Sequence, residues 1–157
     1  MIAENFMYDS PGTLEEAFQL LHEYGDDAKI LAGGHSLIPM MKLRLAAPTH
    51  LIDINNIPGL SYIKEEAGYL KNGAMTREAD LEESDLISSK YHVFIDATKL
   101  IADPQVRNFG TVGGNIAHGD AANDHPEVMF SLNADMEIEV LDCRRLDGID
   151  DVFYGYY

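Results

Sequence analysis

The chain has 157 residues, 46% of them apolar and 24% charged, a size and balance that suit one compact domain or two small subdomains. Its 11 Lys and Arg stand against 27 Asp and Glu, a formal charge of −16, which excludes a free-standing nucleic-acid binder and a protein drawn to anionic membranes. Cys143 is the single cysteine, so a disulfide scaffold, a cysteine-ligated iron–sulfur cluster and a zinc ribbon are excluded within this sequence.

The opening segment MIAENFMYDSPGT has neither a basic stretch nor an apolar core, so no signal peptide is expected. No apolar run approaches the about 20 residues of a membrane span. One thiol in an acidic chain points to a reducing cytoplasm. Residues 13–24 are expected to be helical, because Leu14, Ala17, Phe18 and Leu21 recur at helical spacing. Thr13 with Glu16 forms a capping box there, and Gly25 is the stop signal. Lys29–Ala32 reads as a short buried strand, broken by Gly33-Gly34-His35-Ser36. Leu37 to Leu43 reads as one or two helical turns interrupted at Pro39, and His50–Ile54 as a second strand. This alternation predicts a small α/β unit over residues 1–56.

Asn55-Asn56-Ile57-Pro58-Gly59 is turn chemistry and marks a boundary to a second subdomain, residues 57–157. Leu60–Lys64 and Tyr69–Ala74 predict a hairpin around Glu65-Glu66-Ala67-Gly68. Thr76 is expected to cap a helix running to about Glu83, and Tyr91–Ile101 is a second helix. Pro104 marks a turn or a helical start, and residues 110–125 form a long stretch of Gly, Asn, Asp and His. Glu127–Leu132 reads as a short helix and Met136–Leu141 as a strand. Phe153, Tyr154, Tyr156 and Tyr157 crowd the end of the sequence, so further chain or a partner is expected to cover them.

The chemistry-bearing residues fall in two glycine segments. Ala32-Gly33-Gly34-His35-Ser36 follows a strand, and Gly110-Thr111-Val112-Gly113-Gly114-Asn115 lies about 75 residues further on. Adjacent glycines reach φ > 0 and let a ligand touch main-chain N–H groups, which in succession form an anion nest. Ser36 and Thr111 add hydroxyls. Two such turns can clasp a pyrophosphate from both sides, whereas each alone is also what a plain tight turn looks like. No Lys occupies a P-loop position and neither segment is GxGxxG, so nucleotide-triphosphate and Rossmann fingerprints are absent. His118, Asp120, Asp124 and His125 offer a rival, metal-dependent hydrolase reading, but their spacing fits no helical ligand pair and no metal is expected. His22, His50 and His92 read as surface or core histidines, Arg107 as an ion-pair partner for Asp103, Met40 and Met41 as core filler, and Cys143 as inert.

The segments AGGHSLIPMMKLRLAAPTHLIDI, GAMTREADLEES, IADPQVRNFGTVGGNIAHGDAANDHP and IDDVFYGYY, in that order, resemble the FAD-binding (medium) subunits of the molybdenum hydroxylases, those of the aerobic carbon monoxide dehydrogenase type above all. The resemblance implies an α+β chain with two small α/β subdomains of the vanillyl-alcohol-oxidase-like (PCMH-type) FAD-binding fold, its C-terminal part absent, because such subunits are longer. It implies FAD as cofactor. Ile30, Leu31, Ala32, Gly33, Gly34, His35, Ser36 and Leu37 would wrap the pyrophosphate. Thr111, Val112, Gly113, Gly114, Asn115 and His118 would lie around the phosphates and ribityl chain, with Asp124 on the flavin-side sugar alcohol. It implies a molybdenum-cofactor large subunit and a small subunit with [2Fe-2S] clusters as partners. NAD or a quinone would be the electron acceptor. No residue here would be an acid–base catalyst. A fragment that folds without holding FAD is the alternative.

Overall fold

The computed structural model describes residues 2–120 and 123–152, with Asp124 described in its backbone only. The four terminal aromatics therefore lie outside the described residues. Three short strands, β1 (Met7–Asp9), β2 (Ala28–Leu31) and β3 (His50–Asp53), form one parallel sheet in the order β1-β3-β2. β3 is central, with Leu51 opposite both Tyr8 and Lys29. Helix α1 (Leu14–Tyr24) connects β1 to β2, as parallel strands require a crossover. Thr13 caps it by accepting from the Glu16 N–H at 3.2 Å, and the Glu16 carboxylate accepts from Gly12 N–H at 2.8 Å. Ala17, Ala28, Ile52 and Ile57 form the core beneath, with Leu14, Leu21 and Tyr24 packed on it. Burying a side chain such as Ile52 stabilises a fold by about 1.5–3 kcal/mol.

Helix α2 (Leu37–Lys42) runs through Pro39 without interruption. Pro39 is its third residue, where the backbone N–H has no intrahelical acceptor, so the missing donor costs nothing. Strands β4 (Ile63–Glu66) and β5 (Tyr69–Asn72) form the expected hairpin. Its tip is Ala67-Gly68, both at positive φ (54° and 84°), the geometry of a two-residue turn matched to strand twist.

Six helices follow. They are α3 (Glu78–Glu83), α4 (Asp85–Lys90), α5 (His92–Leu100), α6 (Pro104–Arg107), α7 (Val112–His118) and α8 (Asp124–Ser131). Leu81, Ile87, Phe94, Ile95, Val112, Ile116, Val128, Met129 and Ile149 from these helices and from α9 (Ile149–Val152) make a second, separate core. Thr76 does not cap α3. Its buried hydroxyl donates to the Tyr62 carbonyl at 2.9 Å and accepts from the Tyr62 N–H at 3.2 Å, tying the hairpin to the helices. The cap of α3 is supplied by the Asp80 carboxylate, which accepts from Arg77 N–H at 3.1 Å. Arg107 pairs with Glu82 at 2.9 Å and not with Asp103, whose carboxylate caps α6 by accepting from Gln105 and Val106 N–H.

Strands β6 (Asp135–Val140) and β7 (Cys143–Gly148) close a last hairpin. β7 has no apolar alternation to betray it. It forms by pairing with β6, where Arg144 bridges Glu137 and Glu139 at 2.8 and 2.9 Å. Among the described residues no helix is long and apolar enough to cross a membrane.

Candidate functional site

The carboxyl ends of a parallel sheet are where open α/β folds leave a crevice for ligands. Leu31 pairs with Asp53 at that edge, and Gly33–Ser36 leave the sheet beside it. Gly34 has φ 74°, which the glycine alone makes easy. Its carbonyl accepts from Ile38 N–H at 3.0 Å, and the Ser36 carbonyl from Met40 N–H at 3.2 Å, so the loop is fixed through its oxygens. The N–H groups of Gly33, Gly34, His35 and Ser36 donate to nothing among the described residues. The Ser36 hydroxyl makes no capping bond to α2. His35 and Ser36 are exposed, Ile30 is 41% exposed, and Leu31, Ala32 and Leu37 are half-buried.

The second glycine segment is built differently. Residues 110–118 do not make an open Gly-Gly turn. Thr111 is the N-cap of α7, and Gly113 and Gly114 are in its first turn. Val112 N–H donates to the Thr76 carbonyl at 3.0 Å and Gly113 N–H to the Ala74 carbonyl at 2.8 Å. Gly114 N–H donates to Thr111 Oγ1 at 3.2 Å, so the threonine hydroxyl accepts within the protein. A β-carbon on Gly113 would lie 2.6 Å from the Ala74 β-carbon. The glycines here permit close packing. Thr111 and Val112 are buried, Gly113, Gly114 and Asn115 half-buried, and His118 is exposed at the end of α7. Asn115 Oδ1 is buried without a hydrogen-bond partner among the described residues.

Tertiary packing brings the two segments together. A β-carbon on Gly33 would sit 2.2 Å from the Phe109 carbonyl oxygen and 3.0 Å from Gly110 Cα. The His35 ring meets Phe109 edge-on at 5.6 Å. A β-carbon on Gly114 would be 3.6 Å from that of Ala32. Residues absent from the sequence expectation hold this contact. Asn55 Nδ2 lies 2.9 Å from the Ala32 carbonyl and 2.6 Å from Asp53 Oδ1. Arg77 Nη2 donates to Asn55 Oδ1 at 2.5 Å, and its Nη1 to the Phe109 carbonyl. Asp53 also accepts from Asn55 N–H at 2.8 Å and from the Tyr8 hydroxyl. Partial burial pushes the Asp53 carboxyl up, but the bonds from Tyr8 and Asn55 and the Arg77 charge together hold it below the usual carboxylate range. The Tyr8 phenol is raised, mostly by its bond to Asp53. Asn55 had been legible only as a turn former and Arg77 only as one letter of a longer motif.

His118, Asp120 and His125 are not gathered. His125 is fully buried with Nε2 2.6 Å from Glu78 Oε2, against Phe94, while His118 faces outward. Among the described residues no cluster of three or more His, Cys, Asp or Glu side chains is arranged for a metal. A hollow of about 340 Å³ near β1 and α1 is lined by Asp9, Glu16 and Glu23. That lining repels an anion.

The family model for the FAD-binding domain in molybdopterin dehydrogenases matches residues 4–157. The chain belongs to that family. FAD is the cofactor that this family's domain binds. The chain is 50% identical over 157 residues to the carbon monoxide dehydrogenase medium chain of Hydrogenophaga pseudoflava, covering 100% of this chain and 55% of that one. It is 42% identical over 155 residues to the glyceraldehyde dehydrogenase medium chain of Sulfolobus acidocaldarius, covering 99% and 55%. Carbon monoxide dehydrogenase from H. pseudoflava superimposes with a TM-score of 0.96 at 51% identity, over 99% of this chain and 54% of the other. Quinoline 2-oxidoreductase from Pseudomonas putida 86 does so with 0.92 at 34% identity, over 96% and 53%. The chain thus spans about half the length of the relatives it matches. The α+β FAD-binding fold is that of this family. The residues present fit FAD at one end: four consecutive N–H groups undonated among the described residues suit a pyrophosphate.

Proposed function

We propose that this chain is the FAD-holding part of a medium subunit of a molybdenum hydroxylase, with residues 1–56 and 57–157 as two subdomains that receive FAD between them. The pyrophosphate is held by the N–H groups of Gly33, Gly34, His35 and Ser36. Ile30, Leu31, Ala32 and Leu37 shape the floor of that loop. Thr111, Val112, Gly113 and Gly114 form the facing wall, with Asn115, His118 and Asp124 as the residues for the ribityl chain. The carrying observation is the row of unspent N–H groups at the carboxyl edge of a parallel sheet.

FAD supplies the redox chemistry when bound, standing between the [2Fe-2S] clusters of a small subunit and an acceptor such as NAD or a quinone. The chain's own part is to bind and orient. Backbone dipoles suit that task in a chain of charge −16, because the long-range repulsion of a dianion is screened within about 8 Å at physiological salt while the N–H groups bond directly. The substrate-oxidising centre belongs to a molybdenum-cofactor large subunit, a reading supported by a family of molybdopterin dehydrogenases and by relatives named as medium chains. A cytoplasmic setting suits a sequence whose single cysteine has no partner within it.

Titration of FAD against the protein by flavin fluorescence tests this reading. Stoichiometric quenching, lost in Gly33→Ala, is expected. A protein that quenches no flavin would replace the reading with its alternative, a fragment that folds without FAD.

A further inference from the structure

We infer that Asn55 and Arg77 are positioning residues that form a two-side-chain clasp across the FAD cleft, setting the separation of the two glycine segments. The inference rests on the proposed pyrophosphate site and deepens it. Each side chain holds the carbonyl immediately before a glycine segment: Asn55 the Ala32 carbonyl at 2.9 Å, Arg77 the Phe109 carbonyl. The two are joined to each other at 2.5 Å. They come from opposite sides of the proposed boundary, Asn55 from the turn after β3 and Arg77 from the strand-like bridge to Thr111 that precedes α3. Between the two carbonyls there is no slack, because Gly33 already packs on Phe109 and Gly110 at a distance that admits no β-carbon. Asp53 anchors the assembly by accepting from both nitrogens of Asn55, which fixes the amide so that Nδ2 faces Ala32 and Oδ1 faces Arg77.

Arginine suits the role because its planar fork reaches two acceptors at once, whereas lysine offers a single point charge. The clasp therefore acts through geometry, holding the undonated N–H groups of Gly33–Ser36 at a fixed distance from the α7 wall before FAD arrives. Such preorganisation removes ordering cost from binding.

The test compares Asn55→Ala, Arg77→Met, the double variant, Arg77→Lys and Asn55→Asp. It uses two readouts: hydrogen exchange of the protein without FAD, and FAD affinity by fluorescence titration. In Arg77→Met, exchange is expected to rise in peptides covering both 28–43 and 104–118, with the distant β6–β7 hairpin unchanged. Each single variant is expected to weaken FAD about tenfold, and the double variant by about the same tenfold, because either loss opens the same clasp. Arg77→Lys is expected to behave like Arg77→Met. Should Arg77→Met fail to fold, Asn55→Asp decides: it still accepts from Arg77 but no longer donates to Ala32 or Asp53, so exchange is expected to rise in 28–43 and 50–56 with 104–118 unchanged. Exchange confined to 104–118 in Arg77→Met, additive losses near a hundredfold, or full affinity in Arg77→Lys would each overturn the clasp, the last by showing that charge suffices. A parent protein that binds no FAD would defeat the cofactor site, while the exchange pattern would still decide the clasp.

Discussion

The two glycine segments share a sequence signature, a Gly-Gly pair beside a hydroxyl, yet they have opposite hydrogen-bond states. In the first, the Gly34 and Ser36 carbonyls are bonded while the N–H groups of Gly33–Ser36 donate to nothing among the described residues. Val112, Gly113 and Gly114 spend all three N–H groups inside the protein, on Thr76, Ala74 and Thr111. One pair leaves its backbone N–H groups open, and the other lets a helix start lie flush against the β5–α3 connection. A Gly-Gly pair in a sequence therefore signals close approach, and only the hydrogen bonds say whether the thing approached is a ligand or the protein itself.

That contrast is open to attack. The largest effect is expected from Gly33→Ala, whose β-carbon would meet the Phe109 carbonyl at 2.2 Å and prise the segments apart. FAD affinity, read by fluorescence titration, is expected to fall at least about a hundredfold, the equivalent of one or two charge-assisted hydrogen bonds. Unchanged affinity would mean that the pyrophosphate does not sit on this loop. Gly113→Ala should do the reverse. Overpacking against Ala74 is expected to lower stability by about 1–3 kcal/mol, seen as a lower Tm, with FAD affinity changed less than about threefold once the protein is folded. Weakened FAD binding at unchanged Tm would show that the second segment donates to ligand after all.

Thr111→Ala removes the acceptor for Gly114 N–H and is expected to cost about 1 kcal/mol, or roughly 2–4 °C in Tm. Ser36→Ala, by contrast, loses no bond within the described protein, so its Tm should match the parent; an equal drop in both would erase the distinction drawn between the two hydroxyls.

The smallest effect concerns pH. Asp53 has a depressed carboxyl in the folded chain, so its contribution is present above the unfolded value of about 3.9 and is lost as pH falls through the lower folded value. Denaturation at a series of pH values should show the parent losing more stability than Asp53→Asn over that acid window. Parallel pH profiles would remove Asp53 as an anchor of the first segment.

Local signals carried much of the chain on their own. α1 and its Thr13 cap, the strands at 28–31 and 50–53, and the 63–72 hairpin follow from periodicity and from side chains that bond their own backbone, interactions complete within a few residues. The FAD family was likewise legible, because the glycine motifs and their order are properties of the string. What the sequence could not settle was every feature whose partner lies far along the chain. β7 carries no alternation and exists by pairing with β6. Thr76 looks like a cap but spends its hydroxyl on Tyr62, 14 residues earlier. His125 sits among candidate metal ligands in sequence and against Glu78, 47 residues away, in space. Asn55 and Arg77 are an ordinary turn former and an ordinary charge until folding places them 2.5 Å apart between two carbonyls. Short-range hydrogen bonds and hydrophobic period are written locally and can be read locally; which N–H groups remain for a ligand is settled only after every other acceptor in the fold has taken its donor.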